Sequence, residues 1–257
     1  MSKSINVTLL DYTGKGTTDP SDYAAGILIM SRSTRLTMSP GLLEQILEQP
    51  KSWKMEELSK ASMTIPSSWE FVGYTFLIEG VTRAFTHQFV RTRTASYAQQ
   101  TMRVLNVSDG PGWTAKKGPT VAQDKGASER WDRLMNEIDS AYREMISSGV
   151  SIEDARGVLP TNICTNIMAF MNMRTFVELV RKRSSLRVQA EYREVLAKMV
   201  ERVREVHEWI DIFVNSDKDL AKRRLDQELR NLMEEGKISN STFIDLIKLS
   251  DKMASDV

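Results

Sequence analysis

The run WEFVGYTFLI, residues 69–78, constrains the fold more than any other segment. It is crowded with aromatic and β-branched side chains and carries one charge, Glu70, near its start. Such a run predicts a buried strand, because these side chains pack well on a pleated surface. Gly80 is expected to end it. Residues 5–10, INVTLL, alternate in hydrophobicity and predict a second, shorter strand. The rest of the chain is patterned for helices, so the expected fold class is α/β (α+β), mostly helical around a small central sheet.

The helical signals run as follows along the chain. Ser39 and Pro40 make a helix start, Ser as N-cap and Pro at the first helical position, leading into GLLEQILEQ. A short helix is expected over residues 55–61. Residues 81–93 turn helical, with Val81, Ala84, Phe85 and Phe89 on or near one face. Residues 105–127 hold Gly110-Pro111-Gly112 and Gly118-Pro119 and predict a polar loop of lid length. Residues 128–146 set Trp131, Leu134, Met135, Ile138, Ala141 and Met145 at helical spacing, and Gly149 follows as the stop. Ser151-Ile-Glu-Asp154 resembles a capping box for a short helix that carries Arg156. From 161 to about 215 the pattern is almost continuously helical. The tail, a charged stretch ending at Gly236 followed by STFIDLIKLSDKM, predicts a helical hairpin on the surface or at a subunit contact.

Composition excludes several chemistries. The 257 residues carry 35 Lys and Arg against 34 Asp and Glu, so no global polycation drives nucleic-acid binding, and any anion site must be local. No apolar run is long enough to cross a bilayer, and MSKSINVTLLDY lacks a signal peptide's apolar stretch. Cys164 is the single cysteine, which forbids an intrachain disulfide and favours a reducing, cytoplasmic setting. With His87 and His207 the only histidines, a His/Cys zinc site is not expected, and neither histidine lies in a nucleophile-elbow context. The chain has no Walker loop and no GxGxxG. An enzyme of this composition needs a cofactor for the hard chemistry.

Against that neutral background, RAFTHQFVRTRTASYAQQTMRV, residues 83–104, concentrates Arg83, Arg91, Arg93 and Arg103 with no acidic residue among them. On a helix, Arg91 and Arg93 would point about 200° apart, each toward a different neighbour, whereas Gln88 and Arg91 would share a side. Forked guanidiniums, hydroxyls and amides in this density suit phosphate binding. The competing reading is a solvated basic face; the interleaved apolar residues and the lack of nearby acids favour the functional one. A second basic series, Arg156, Arg174, Arg181, Lys182, Arg183, Arg187 and Arg193, includes helical partners at i,i+4, namely Arg174 with Glu178 and Gln189 with Arg193. By periodicity alone it is an ordinary salt-bridged helix surface.

The stretch THQFVRTRTASYAQQTMR resembles the motif of the flavin-dependent thymidylate synthases, HQ(L/F)VRHR followed by a Ser-containing turn, then Ser and Arg. SGVSIEDARGVLPTN and NMRTFVELVRKRSSLRVQAEYR resemble two further blocks of that family in the same order, and WEF corresponds to its FEH. The resemblance covers roughly residues 5–215. It implies one domain over 1–215 with a C-terminal helical extension over 216–257, and the family's fold. It also implies reductive methylation of dUMP to dTMP, with methylene-tetrahydrofolate as carbon donor, NADPH as reductant, FAD as cofactor, and a homotetramer that shares its FAD sites. Such an enzyme needs no activated cysteine, and Cys164 takes the reading of a small buried residue.

Residue by residue, the resemblance places Gln88, Arg91, Gln99, Gln100, Thr101, Met102, Arg103 and Arg156 around dUMP. Arg183 matches the arginine that favours the ionised N3 of the uracil, and is the expected catalytic residue. Ser67, Arg91, Thr92, Arg93, Gln99, Asn172, Arg174 and Glu178 occupy the FAD-contacting positions. No metal is implied. The chain departs from the pattern at Thr92, where the motif has His; at Thr101, where it has Ser; at Glu178, where Asn is usual; at Phe71, which replaces the His of FEH; and at Arg187, where His is common. Two alternatives stay open: a flavin- and folate-dependent pyrimidine nucleotide hydroxymethylase, and a non-catalytic nucleotide-binding relative.

Overall fold

The computed structural model describes residues 4–33, 39–103, 113–183, 188–215, 225, 228–233 and 235–255. In chain order the elements are β1 (Asn6–Tyr12), α1 (Pro20–Ser33), α2 (Leu42–Leu47), α3 (Lys51–Ser62), a 3-10 turn (Pro66–Phe71), β2 (Gly73–Thr82), α4 (Arg83–Phe89) and β3 (Ala95–Gln99). Then follow α5 (Pro119–Gln123), α6 (Lys125–Ser147), α7 (Ile152–Ala155), β4 (Cys164–Asn172), α8 (Met173–Arg183), α9 (Ala190–Val206), α10 (Asp211–Val214) and α11 (Asn240–Ser255). The architecture is the mixed, mostly helical fold with a small sheet that the sequence predicts.

The sheet has the order β1-β2-β4-β3, and every neighbouring pair is antiparallel. Its central pair is β2 with β4, in register Tyr74↔Met171, Phe76↔Ala169 and Ile78↔Ile167. These six side chains are buried and form one face, against which α8 and α9 lay Phe176, Val177, Tyr192, Val195 and Met199. Phe176 meets Tyr74 edge-on at 5.4 Å and stacks on Phe76 at 5.8 Å. The opposite face is open: Met168 and Phe170 of β4 are 42% and 50% exposed. Gly73 lies against it: a Cβ there would come within 3.1 Å of the Phe170 ring, which would have to shift by a few tenths of an ångström.

Several expectations are corrected. The predicted strand over 69–78 lies instead at Gly73–Thr82, because Pro66 opens a 3-10 turn that takes in Trp69 to Phe71. Gly80 does not end β2; with φ 65° it forms a bulge inside the strand, its N–H donating to Asn166 Oδ1 at 2.9 Å. The continuous helix expected from 161 fails at β4. In CTNIMAFMN the outward Met168 and Phe170 are as apolar as the inward Ile167, Ala169 and Met171, so no period of two is visible. The predicted loop at 105–127 holds α5 and the start of α6, capped by Asp124, whose carboxylate accepts from Ala127 N at 2.7 Å; residues 104–112 lie outside the described residues. Ser39 does not cap α2, which starts after Gly41 at φ 79° with no side-chain cap. Ser151 does cap α7, accepting from Asp154 N at 3.2 Å, and Gly149 and Gly236 take the left-handed stops expected of them. Of the tail, residues 228–233 and α11 are helical.

Two buried polar groups lock the frame. The Lys54 ammonium bonds both carboxylate oxygens of Asp22 at 2.6 Å and the Leu47 carbonyl at 2.7 Å, tying α1, α2 and α3 together. His207 is fully buried beneath the sheet, stacked on Trp209 at 5.0 Å. Its Nε2 lies 3.0 Å from the Thr13 carbonyl, which only accepts, so Nε2 carries the proton; Nδ1, 3.0 Å from the Tyr74 hydroxyl, accepts. The ring is therefore held neutral, and burial pulls its pKa down from 6.5 to about 4.

Between those two values the unfolded chain binds a proton that the folded one refuses. The His207 contribution is therefore whole above pH 6.5 and is lost as pH falls toward 4, by roughly 3 kcal/mol in all. Urea unfolding of the wild type and His207→Gln across pH 7 to 4 tests this. The gap between the two should shrink as pH drops, and a gap independent of pH would refute it.

Candidate functional site

The central strand pair places the candidate residues at two ends of the sheet. At the end where Thr82 pairs with Cys164, β2 runs directly into α4. Thr82 makes that junction: its hydroxyl accepts from Phe85 N at 3.1 Å as the α4 N-cap. The same residue meets α9, its N–H donating to Glu191 Oε1 at 2.9 Å and its hydroxyl to Glu191 Oε2. Phe85 and Phe89 are buried beneath α4, stacked on each other at 5.1 Å, and Gln88 points outward to donate to Gln189 Oε1 at 3.2 Å. Gln189 therefore does not pair with Arg193 through its side chain, as its spacing suggested.

α4 ends at Phe89, so Arg91 and Arg93 stand in a turn and the helical angle between them does not apply. The Tyr97 hydroxyl lies 3.0 Å from the carbonyls of both Phe89 and Thr92 and clamps the turn, while the β-branched Thr92 and Thr94 disfavour further helix. Arg91 and Arg93 are exposed, and neither forms an ion pair among the described residues. Thr94 then docks on α8, accepting from the Thr175 hydroxyl at 3.0 Å. This brings the Arg91–Arg93 turn to the first turn of α8, where Asn172 Oδ1 accepts from Thr175 N at 2.9 Å.

Arg174, two residues after Asn172, is bound by Glu70 at 2.6 Å and Glu178 at 3.1 Å. Burial alone would raise the Glu178 carboxyl, but its bonds to Arg174 and Lys182 win and hold it below the usual range. The expected Arg174–Glu178 pair is thus present, and it neutralises the acid that stands where the family has Asn. Ser67 is half-buried in the neighbouring 3-10 turn. Exposed guanidiniums on a turn docked against the start of α8 suit the diphosphate of a dinucleotide cofactor, while Arg174 already bonds carboxylates.

β3 carries the chain back to the α4 start, in register Ala95↔Met171 to Gln99↔Ile167. Gln99 donates to the Thr86 hydroxyl at 3.0 Å, and the Gln100 carbonyl accepts from Arg83 at 2.7 Å. Thr101 Oγ1 accepts from Arg103 N at 3.1 Å, and Met102 is half-buried between them. Arg103 meets Glu153 at 3.2 Å, and Arg156 lies 3.9 Å from the same carboxylate. Arg103 and Arg156 are thereby brought together from distant parts of the chain, as a shared phosphate contact requires.

Arg183, the last residue of α8, lies over the Tyr192 ring at 5.6 Å. Tyr192 is fully buried, and burial pushes its phenol up to about 12. Arg187 lies outside the described residues. Cys164 is half-buried at the start of β4, more accessible than the sequence suggested. The sequence assigns no role to Glu153 or Tyr192, although the i,i+3 spacing of Glu153 and Arg156 is a visible signal for the first. A cleft of about 550 Å³ lies elsewhere, lined by Lys116, Lys117, Trp131, Asp132, Glu194 and Lys198 among others, and includes none of the expected site residues.

The fold thus sets arginines at two ends of a small antiparallel sheet, Arg91 and Arg93 in the turn before β3, and Arg83, Arg103 and Arg156 where β3 ends. The chain belongs to the family of thymidylate synthase complementing proteins, whose model matches residues 9–209. It is similar to the flavin-dependent thymidylate synthase of Nitratidesulfovibrio vulgaris, 37% identical over 53% of this chain and 58% of that one. The enzyme of the same description from Pyrococcus furiosus is 39% identical over 51% of this chain and 54% of its own. That of Clostridium tetani is 29% identical over 79% and 83%. The chain thus aligns with little more than half the length of the first two. No helix among the described residues is long and apolar enough to cross a membrane.

Thr82→Val removes the α4 cap and one bond to Glu191 while keeping shape. It should lower stability by about 1–2 kcal/mol in denaturant unfolding. An unchanged midpoint would show that Thr82 does not hold this junction.

Proposed function

We propose that the protein methylates dUMP reductively to dTMP, taking its one-carbon unit from methylene-tetrahydrofolate and its electrons from NADPH by way of FAD. The observation that carries this reading is the convergence of Gln99, Gln100, Thr101, Met102, Arg103 and Arg156 at one end of the sheet, within a chain of this family. In this reading the arginines hold the nucleotide phosphate, and Gln88, Arg91 and the 99–103 segment orient the nucleoside. Arg183 is the catalytic residue: a fixed guanidinium beside the uracil N3 favours the ionised base and so raises nucleophilicity at C5. Its seat on the buried Tyr192 ring supports that role, because the cation is held without a carboxylate partner among the described residues. Ser67, Arg91, Thr92, Arg93, Gln99, Asn172, Arg174 and Glu178 would hold FAD. When bound, it supplies hydride transfer, which no side chain of this protein offers.

The open sheet face with Met168 and Phe170, and the 65% exposed Phe71, supports a homotetramer that buries this surface. Residues 1–215 form the enzyme domain in this reading, and 216–257 a helical extension beyond the family match. The lone Cys164 supports a cytoplasmic setting.

Purified protein should be yellow. With dUMP, methylene-tetrahydrofolate and NADPH it should give a product of dTMP mass; a hydroxymethyl product would select the hydroxymethylase reading, and a colourless protein without turnover the non-catalytic one. Arg183→Ala should cut turnover about 100-fold or more with FAD still bound; near-normal turnover would sink its assigned role. Light scattering should give a tetramer.

A further inference from the structure

Tyr192 belongs to none of the positions assigned to dUMP or FAD, yet it reaches one of each. Its buried ring makes edge contacts with Phe85 at 5.0 Å and Phe89 at 6.1 Å. Phe89 in turn meets Tyr97 edge-on at 5.3 Å, and the Tyr97 hydroxyl clamps the turn that carries Thr92. Rings from α4, β3 and α9 thus form one packed block beside that turn. Burial pushes the Tyr192 phenol up to about 12; the Arg183 charge and the Thr92 hydroxyl pull against this, and Tyr97 adds to it. The Tyr192 hydroxyl makes no hydrogen bond of ordinary geometry, so the Thr92 side chain lies near it without gripping it. Thr92 is half-buried there, and it stands where the family motif has the larger His.

Arg183 depends on this ring. Its guanidinium lies 5.6 Å from the ring centre, inside the reach of roughly 6 Å at which an aromatic face attracts a cation. It has no hydrogen bond and no carboxylate partner among the described residues. Arg174, at the other end of the same helix, is instead held by Glu70 and Glu178. A carboxylate fixes an arginine by occupying its N–H groups and cancelling its charge. A ring face fixes the same group through its quadrupole and leaves the donors and the net charge for a ligand. A cation that must favour an ionised base needs the second kind of support: held in place before the base arrives, with its charge unspent.

We propose that Tyr192 is a positioning residue for Arg183, and that position 92 is small in this chain because the hydroxyl end of Tyr192 lies against it. The inference rests on the nucleotide reading of Arg183 and deepens it. A ring from α9 sets the cation, and the same ring ties it to the turn assigned to FAD. A histidine at 92 would direct a larger side chain at the Tyr192 hydroxyl and push the ring out of register with Arg183.

The test reads Arg183 directly. The purified full chain is treated with phenylglyoxal, which modifies accessible guanidinium groups, and the rate at Arg183 is followed by peptide mass. Tyr192→Leu keeps apolar bulk without a ring and should raise that rate roughly two- to fivefold; Tyr192→Phe should bring it back. The same variants are read on dUMP through the absorbance change that marks ionisation of the bound base as pH rises. Its midpoint should move up by roughly half a pH unit or more in Tyr192→Leu and return in Tyr192→Phe. An Arg183 rate unchanged in Tyr192→Leu, or a midpoint moved by Arg183→Ala but not by Tyr192→Leu, would overturn the proposal. If Tyr192→Leu does not fold, fluorinated phenylalanines at 192 decide, since they keep the ring's shape and weaken its negative face; a rate indifferent to fluorination sinks the seat. Thr92→His should also raise the Arg183 rate, and no change there would break the link from position 92. Should the Arg183 rate follow Tyr192 while ionisation of bound dUMP ignores Arg183→Ala, the nucleotide reading of Arg183 falls and its seat on Tyr192 stands.

Discussion

The antiparallel pairing of β2 with β4 is the constraint on which the rest of the molecule depends. Each strand runs without a break into a helix, β2 into α4 at Arg83 and β4 into α8 at Met173. Because the strands are antiparallel, those helices start at opposite ends of the sheet, next to Thr82↔Cys164 and Gly73↔Asn172. β3 then connects the ends. It begins beside Met171, just after the Arg91–Arg93 turn has docked on α8 through Thr94, and finishes beside Ile167, where Gln99 and Gln100 face the start of α4. One short basic segment thus reaches both ends of the sheet because a five-residue strand lies between its halves.

This explains why the arginines of one motif do not share a neighbourhood. Arg91 and Arg93 have an amide and hydroxyls beside them and no paired carboxylate among the described residues. Arg83 and Arg103 have each other's strand end, Arg156 and Glu153. The helical separation of about 200° expected between Arg91 and Arg93 does not arise, because α4 ends before them; the division within the basic stretch comes from strand β3.

How much was legible follows from how each signal is generated. The basic motif and its ordered companion blocks were readable because charged residues with no acid nearby stand out against a neutral chain. The β1 strand and the helix cap at Ser151 were readable because their patterns are local: alternation in one case, a side chain bonding three residues on in the other. β4 was not readable, since its outward face is as apolar as its inward face and Met and Ala are good helix formers. Gly80 misled for a related reason. A glycine after an apolar run signals a stop, yet here its left-handed φ is used inside the strand for a bulge that only the Asn166 amide, 86 residues away, stabilises. Non-local partners leave no mark in a window of sequence, and the same holds for Tyr192 beneath Arg183.

The apolar outer face of β4 that defeated sequence reading is also what separates a structural strand from an interface. A strand with one solvated face alternates. Met168 and Phe170 are 42% and 50% exposed, so their apolar side chains are not used to pack the core of the single chain. The cost of an exposed Phe and Met is recovered only when a second surface covers them. The hidden periodicity has that same cause: β4 carries the pattern of an element buried on both faces, and a single chain buries only one of them.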